Sequence, residues 1–217
     1  MPFEYAHTRK ACYQYSWDWA PYLLTMGIWK DVKIRVFDEV KIDYVWARNK
    51  LISNEEAIIN FAVKLDLNLF KDDQLPEGFT IGVYLDEKKQ AETKVMENAA
   101  YSEVTIANPK FWWPNGIGQP HMYDFVVKLE RAGVVIDERK VPYGIRTVEL
   151  NLENKQFQVK VNGHTVYCKG GNYVPPDMLY PRIDNPSFKG GASFKKLLDD
   201  SVESNFNMIR VWGGGQY

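Results

Sequence analysis

The sequence predicts a mainly β protein: an antiparallel sandwich through the middle of the chain, then one strand–helix–strand unit with parallel pairing. Three observations carry this. From Ile59 to Leu69 every odd position is apolar (Ile59, Phe61, Val63, Leu65, Leu67, Leu69), while Asn60, Ala62, Lys64, Asp66 and Asn68 fill the even ones. That period of two makes a strand with one buried and one wet face. The same alternation returns at Phe79, Ile81, Val83, Leu85 and at Tyr123, Phe125, Val127, Leu129. After Gly170 the pattern switches to a loop rich in Gly and Pro, a helical stripe and a short apolar run.

Each element follows from local chemistry. Ile42, Tyr44, Trp46 and Val104, Ile106 read as shorter strands beside the long ones. Turns fall at Leu75-Pro76-Glu77-Gly78, Asn115-Gly116 and Ala132-Gly133, because Gly tolerates positive φ and Pro fixes a negative one. Six or seven short strands with such punctuation over roughly 110 residues fit a sandwich. Past Gly144, the pair Asn162-Gly163 lies between Phe157, Val159, Val161 and Val166, Cys168, a two-residue hairpin signal. Ser193 is placed as an N-cap, with Phe194, Leu197, Leu198 and Val202 on one helical stripe and Asn205 ending the helix. Met208 to Trp212 reads as a buried strand, broken by Gly213-Gly214-Gly215. A lone βαβ unit cannot cover its own edges. The chain is therefore expected to be a slice of a longer protein, whose aromatic-dense first 35 residues are the tail of another domain.

Composition narrows the function. The 217 residues suffice for one large domain or two small ones, and 45% hydrophobic with 25% charged residues gives a packed core. Lys+Arg is 27 against Asp+Glu 28, with no basic block, which argues against a nucleic-acid surface. No apolar run approaches the roughly 20 residues that span a bilayer. Met1 to Lys10 has no apolar core of a signal peptide, and localisation is left undetermined. Cys12 and Cys168 lie far apart and read as packed thiols. The aromatic content of 14%, with 7 Trp and 13 Tyr, suits stacking surfaces for flat ligands.

Several chemistries find no support. His7, His121 and His164 are isolated, without the short spacings of a zinc site. Gly213-Gly214-Gly215 lacks the Gly-Lys-Ser/Thr of a phosphate loop, and no Gly-x-Ser-x-Gly occurs. Asn185-Pro186-Ser187 has Pro in the position that glycosylation excludes. Two places are more informative. In Ser16-Trp17-Asp18-Trp19-Ala20-Pro21 an aspartate between tryptophans either caps a turn beside core rings or meets sugar hydroxyls against an indole face. Lys169 to Asp177 and Arg210-Val211-Trp212-Gly213 stand where two parallel strands end, the position of active-site residues in a barrel of alternating strands and helices. Loop stabilisation by Asn172 and Arg210, with Trp212 as core, is the other reading.

The motifs also carry a resemblance. Arg9-Lys10-Ala11-Cys12-Tyr13-Gln14-Tyr15-Ser16-Trp17-Asp18-Trp19-Ala20-Pro21 and Gly27-Ile28-Trp29-Lys30 resemble the end of the jelly-roll sugar-binding domain of β-mannosidases of glycoside hydrolase family 2. Phe111-Trp112-Trp113-Pro114-Asn115-Gly116-Ile117-Gly118-Gln119-Pro120 looks like the signature near the end of that family's immunoglobulin-like sandwich. Gly144 to Leu150 resembles its junction to the catalytic barrel, and Lys169–Asp177 with Asn207–Gly215 resemble the first two strand ends of the (β/α)₈ TIM barrel. Ala20 and Pro176 depart from the usual Gly and Ala.

The resemblance implies three segments: 1–35 ending the jelly roll, 36–146 the immunoglobulin-like sandwich, and 147–217 opening the barrel. It implies a substrate-binding role for Asp18, which would accept hydrogen bonds from a terminal mannose, for Trp212 as an aromatic wall, and for Trp17. Asn172 and Arg210 would line or brace the barrel mouth, and Trp112 and Trp113 would serve the sandwich. The implied reaction is retaining hydrolysis of a terminal β-mannoside by two glutamates on later strands, with no cofactor and no metal. Glu149, Glu153 and Glu203 match no such motif, so no catalytic residue is assigned and the isolated segment is expected to be inactive. The remaining domains of the longer enzyme are its expected partners. A related β-glucosaminidase or β-galactosidase, or a non-catalytic carbohydrate-binding sandwich, are the alternatives.

Overall fold

The computed structural model describes residues 7–28, 30–37, 40–67, 77–185, 189 and 193–215. Met1, Trp29, Asn68, Leu69, Leu75, Pro76, Pro186 and Ser187, used above, lie outside the described residues. The chain divides into two compact units, one joining the residues up to Ile34 with those from Cys168 onward, the other running from Arg35 to Tyr167. The first unit opens with a hairpin of β1 (Tyr15–Trp17) and β2 (Ala20–Tyr22).

The second unit holds β3 (Lys41–Ile52), β4 (Glu56–Asp66), β5 (Phe79–Leu85), β6 (Lys88–Lys94), β7 (Ala99–Ala107), β8 (Tyr123–Arg131) and β9 (Val134–Tyr143). They form two antiparallel sheets, β3-β4-β7 and β6-β5-β8-β9. The alternation explains the core between them. Ile59, Phe61 and Val63 of β4, Ile81 and Val83 of β5, and Phe125, Val127 and Leu129 of β8 are all buried. Each such side chain stabilises by about 1.5–3 kcal/mol on leaving water. Phe61 meets Phe125 edge-on, with ring centroids 5.0 Å apart. This is the sandwich that the sequence predicts.

Some elements differ from the expectation. The strands around Trp46 and Val104 are not short: β3 has 12 residues and β7 has 9, with bulges in β3 after Ile42 and Asn49. β6 carries no apolar alternation, being Lys-Lys-Gln-Ala-Glu-Thr-Lys, and its turn Asp86-Glu87 takes positive φ at both residues without Gly. It is an edge strand, where lysines discourage pairing with another chain. β9 pairs with β8 across Ala132-Gly133. One part-buried cluster ties the start of β3 to β9: the Asp137 carboxylate accepts from Arg35, from the Ile42 amide and from Arg139.

Three short strands follow, β10 (Val148–Asn151), β11 (Gln158–Val161) and β12 (His164–Val166), in one antiparallel sheet. Asn162 at φ 50° and Gly163 at φ 76° make the expected two-residue turn. Phe157 and Cys168 fall just outside the strands, and Phe157 is exposed.

Back in the first unit, β13 (Gly170–Tyr173), helix α1 (Phe194–Glu203) and β14 (Met208–Val211) make the βαβ unit, β13 and β14 pairing in parallel from Gly170↔Met208 to Tyr173↔Val211. Ser193 caps the helix by accepting from the Lys196 amide. Asn205 ends it at φ 61°, with the Phe206 amide donating to Ser201 and the Asn205 amide to Val202, the paired bonds of a Schellman turn. The expected burial of β14 is not found: Met208 and Val211 are exposed, as are Leu197, Leu198 and Val202 of α1. Apolar runs of this kind stay wet unless neighbours cover both faces of the strand, and β14 has one paired strand among the described residues. The barrel start rests on the resemblance and not on this geometry.

Candidate functional site

The first unit brings together residues as far apart in sequence as Cys12 and Gly214, 202 positions. Trp17 and Ala20 pair across the hairpin, so Asp18 and Trp19 form its two-residue tip. The backbone there is tight: Ser16 sits at φ 85°, in the left-handed region that favours glycine. From the tip, Trp17 meets Trp212 at 5.3 Å between ring centroids, and Trp19 meets it edge-on at 6.4 Å. Behind Trp19 lies Tyr13, fully buried, at 5.0 Å.

Trp212 is fixed from its own side as well. It follows β14, and its amide donates to the Tyr173 carbonyl at 2.9 Å. Gly214 then folds against the indole so closely that a Cβ there would stand 2.4 Å from Trp212 Cζ2 and 2.8 Å from Cys12 Sγ. The Cys12 thiol points at the Gly214 carbonyl, 3.3 Å away. Asp18 is exposed at the tip and has no hydrogen bond or ion pair among the described residues. The result is an exposed carboxylate beside a wall of indoles, with acceptors free for a ligand's hydroxyls.

Asn172 and Arg210 are also joined. They are register partners across β13 and β14, and Arg210 Nη1 donates to Asn172 Oδ1 at 3.2 Å. Both are exposed, and the guanidinium keeps further N–H donors for a ligand. Parallel pairing here needs Gly170, since a Cβ would come within 1.8 Å of the Met208 carbonyl oxygen. A cleft of about 600 Å³ opens beside Asn172, between Val174–Pro176 and the helix face at Lys196 and Asp200. The loop beyond is held by Asp177, which accepts from the Leu179 amide and pairs with Arg182 at 3.1 Å. Burial, and next the charge of Asp184, push the Tyr180 hydroxyl above its ordinary pKa.

Four of the five residues singled out in the sequence thus touch in pairs, Trp17 with Trp212 and Asn172 with Arg210, while Asp18 lies on the turn between Trp17 and Trp19. The sequence reading missed Tyr13, Trp19, Cys12 and Gly214 as the support of Trp212. The glycine run was the signal, read there only as a strand break.

In the second unit Trp112 and Trp113 do structural work. The Trp112 amide donates to Ile145, its carbonyl accepts from Asn162 Nδ2 at 3.0 Å, and Arg146 lies over its ring. Trp113 packs on Gly118 and meets His164 edge-on at 5.4 Å. Among the described residues no group of three or more His, Cys, Asp and Glu side chains could hold a metal. No described helix is long and apolar enough to cross a membrane. Glu149, Glu153 and Glu203 are exposed on β10, the turn after it and α1.

Comparison with known proteins follows the same order along the chain. A model described as the glycosyl hydrolase 2 galactose-binding domain-like family matches residues 3–30, and that of glycosyl hydrolases family 2 matches residues 40–146. β-Mannosidase B of Aspergillus flavus is 32% identical over 214 residues, covering 96% of this chain and 24% of that protein. The Aspergillus terreus β-mannosidase B is 29% identical over 213 residues, with the same coverage. The crystal structure of a β-D-mannosidase from Dictyoglomus thermophilum matches with a TM-score of 0.77 at 30% identity, over 95% of this chain and 25% of that one. An exo-chitosanase from Amycolatopsis orientalis matches at 0.68 and 22% identity, over 88% and 22% of the two chains, a likeness of fold alone. The chain therefore spans about a quarter of the length of its curated relatives. With two family models lying end to end along it and β-mannosidases among its relatives, this chain belongs to glycosyl hydrolase family 2.

Proposed function

We propose that the chain is part of an exo-acting, retaining β-mannosidase, and that it supplies one wall of the subsite for the terminal β-linked mannose. The observation that carries this is the meeting of Trp17 and Trp212 at 5.3 Å with the exposed Asp18 carboxylate, unpaired among the described residues, on the turn beside them. Sugars present C–H faces to indoles and hydroxyl donors to carboxylates. In this reading Asp18 accepts from mannose hydroxyls, Trp212 and Trp17 flank the ring, and Arg210, oriented by Asn172, lines the mouth. Residues 1–35 end the sugar-binding domain, 36–146 are the sandwich and 147–217 open the barrel. The exposed stripes of α1 and β14 suit a barrel that continues through further strands.

The bond breaking belongs to two carboxyl groups about 5–5.5 Å apart, one protonating the leaving oxygen and one attacking the anomeric carbon. No residue of this chain is assigned either part, and in this reading the isolated segment does not hydrolyse. The chemistry requires water and no cofactor.

The test uses the full-length enzyme with Asp18→Asn on a panel of aryl β-glycosides. A hydrogen bond to a charged acceptor contributes about 1.5–3 kcal/mol, so kcat/KM on the mannoside should fall roughly 10- to 150-fold. Preference for the glucosaminide or galactoside over the mannoside would replace the sugar in this reading. An unchanged kcat/KM in Asp18→Asn would remove the site.

A further inference from the structure

The first unit contains a cleft of about 790 Å³ that the mannoside reading does not use: none of Trp17, Asp18, Asn172, Arg210 and Trp212 lines it. Its walls come from residues 7–10 and 25–28, on either side of the β1–β2 hairpin, and from Tyr180-Pro181 in the loop after β13. Pairing across the hairpin draws the first two stretches together. The Leu23 amide donates to the Gln14 carbonyl, and Lys10 Nζ donates to the Thr25 carbonyl. The chain as a whole is balanced, with Lys+Arg 27 against Asp+Glu 28, but this cleft is not. Arg9 and Lys10 line it, and among the described residues no Asp or Glu does.

Neither cation has an acidic partner among the described residues. Lys10 is half-buried and gives one N–H to Thr25, which fixes the ammonium and leaves two donors. Arg9 is exposed and keeps its planar fork of donors. Across the cleft, burial and then the charge of Asp184 hold the Tyr180 hydroxyl above its ordinary pKa, so it stays protonated at neutral pH. Asp184 itself does not line the cleft and accepts from the Phe194 amide. Donors without a counter-charge select an oxyanion, because carboxylate and phosphate oxygens match both the guanidinium fork and the ammonium. Two further features select more than a bare ion. The volume is that of a pocket for a small organic molecule. Gln14 also lines the cleft at only 6% exposure, and its buried Oε1 has no hydrogen-bond partner among the described residues. An acceptor in that state calls for a donor, which an anion lacks and a hydroxyl supplies.

We propose that this cleft is a binding site for an anionic sugar, whose phosphate or carboxylate lies against Arg9 and Lys10 while a ring hydroxyl donates to Gln14 Oε1. The site gives the protein a hold on acidic saccharides that shares no residue with the mannose subsite. The sugar half of the assignment rests on the glycosidase reading above; the anion half rests on the cleft alone.

The test is calorimetric titration of the 217-residue chain with glucose 6-phosphate, glucuronate and glucose, alike but for the group at C6, and with inorganic phosphate. The expected result is binding of glucose 6-phosphate or glucuronate, the pair that tells phosphate from carboxylate, with glucose and inorganic phosphate each roughly tenfold weaker or more. Arg9→Gln and Lys10→Gln should each weaken binding roughly tenfold, as should raising the salt from about 20 to about 300 mM, and Asp18→Asn should leave it unchanged. Arg9 is exposed, so Arg9→Gln and the salt series decide even where loss of the Thr25 contact unfolds Lys10→Gln, which circular dichroism checks. Failure of both anionic sugars to bind, or undiminished binding by Arg9→Gln, overturns the site. Inorganic phosphate binding as tightly as glucose 6-phosphate overturns its sugar half. Aryl-mannoside hydrolysis by full-length Asp18→Asn reports on the catalytic reading separately.

Discussion

Gly213 and Gly214 are adjacent in sequence and opposite in consequence. A Cβ on Gly213 meets nothing within 4 Å, whereas on Gly214 it meets Trp212 Cζ2 at 2.4 Å, Cη2 at 2.6 Å and Cys12 Sγ at 2.8 Å. The sulfur can turn away on its short side chain, but the indole is pinned between Gly214 and Trp17. Gly214→Ala should therefore cost about 1–3 kcal/mol as an overpacked contact. Gly213→Ala should be neutral or stabilise by about 0.4–1 kcal/mol, because it restricts the unfolded chain. The two variants should differ by about 1–4 kcal/mol in urea unfolding of the first unit. Because Trp17 and Trp212 are 5.3 Å apart, near-ultraviolet circular dichroism reports their coupling. Gly214→Ala should diminish that signal as Trp212→Ala does, and Gly213→Ala should keep it. Equal stabilities with the Trp signal intact in both variants would refute the claim that Gly214 positions Trp212.

Ser16→Gly should raise stability by about 1 kcal/mol by relieving its positive φ, measured by thermal unfolding. Phe61→Ala should destabilise the sandwich by about 3–5 kcal/mol, since the ring is fully buried against Phe125, and denaturant unfolding reads this directly. Burial raises the Glu130 carboxyl, but hydrogen bonds from Lys89 and Tyr84 outweigh it and leave the pKa below its ordinary 4.5. The folded pKa is depressed, so this stabilisation is present above 4.5 and lost as pH falls through the folded value. Glu130→Gln should accordingly flatten the loss of stability below pH 4.5, seen in acid titrations of both proteins.

Much of this fold is local and so readable from sequence. Strand alternation through Ile59–Leu67 and Phe125–Leu129, the Asn162-Gly163 turn, the Ser193 cap and the Asn205 stop each depend on a residue's own conformational and hydrophobic preferences. The motif order from Tyr13 to Trp212 likewise determined the family. β6 was hidden because its turn, Asp86-Glu87, reaches positive φ without glycine and its lysines follow an edge strand's solvent exposure. Tertiary structure alone decided that Trp17 touches Trp212 and that Gly214 and Cys12 hold the indole in place. Contacts between residues so far apart depend on which strands pair and in what register. That choice is made by the burial of the whole core, and no local window of the chain contains it.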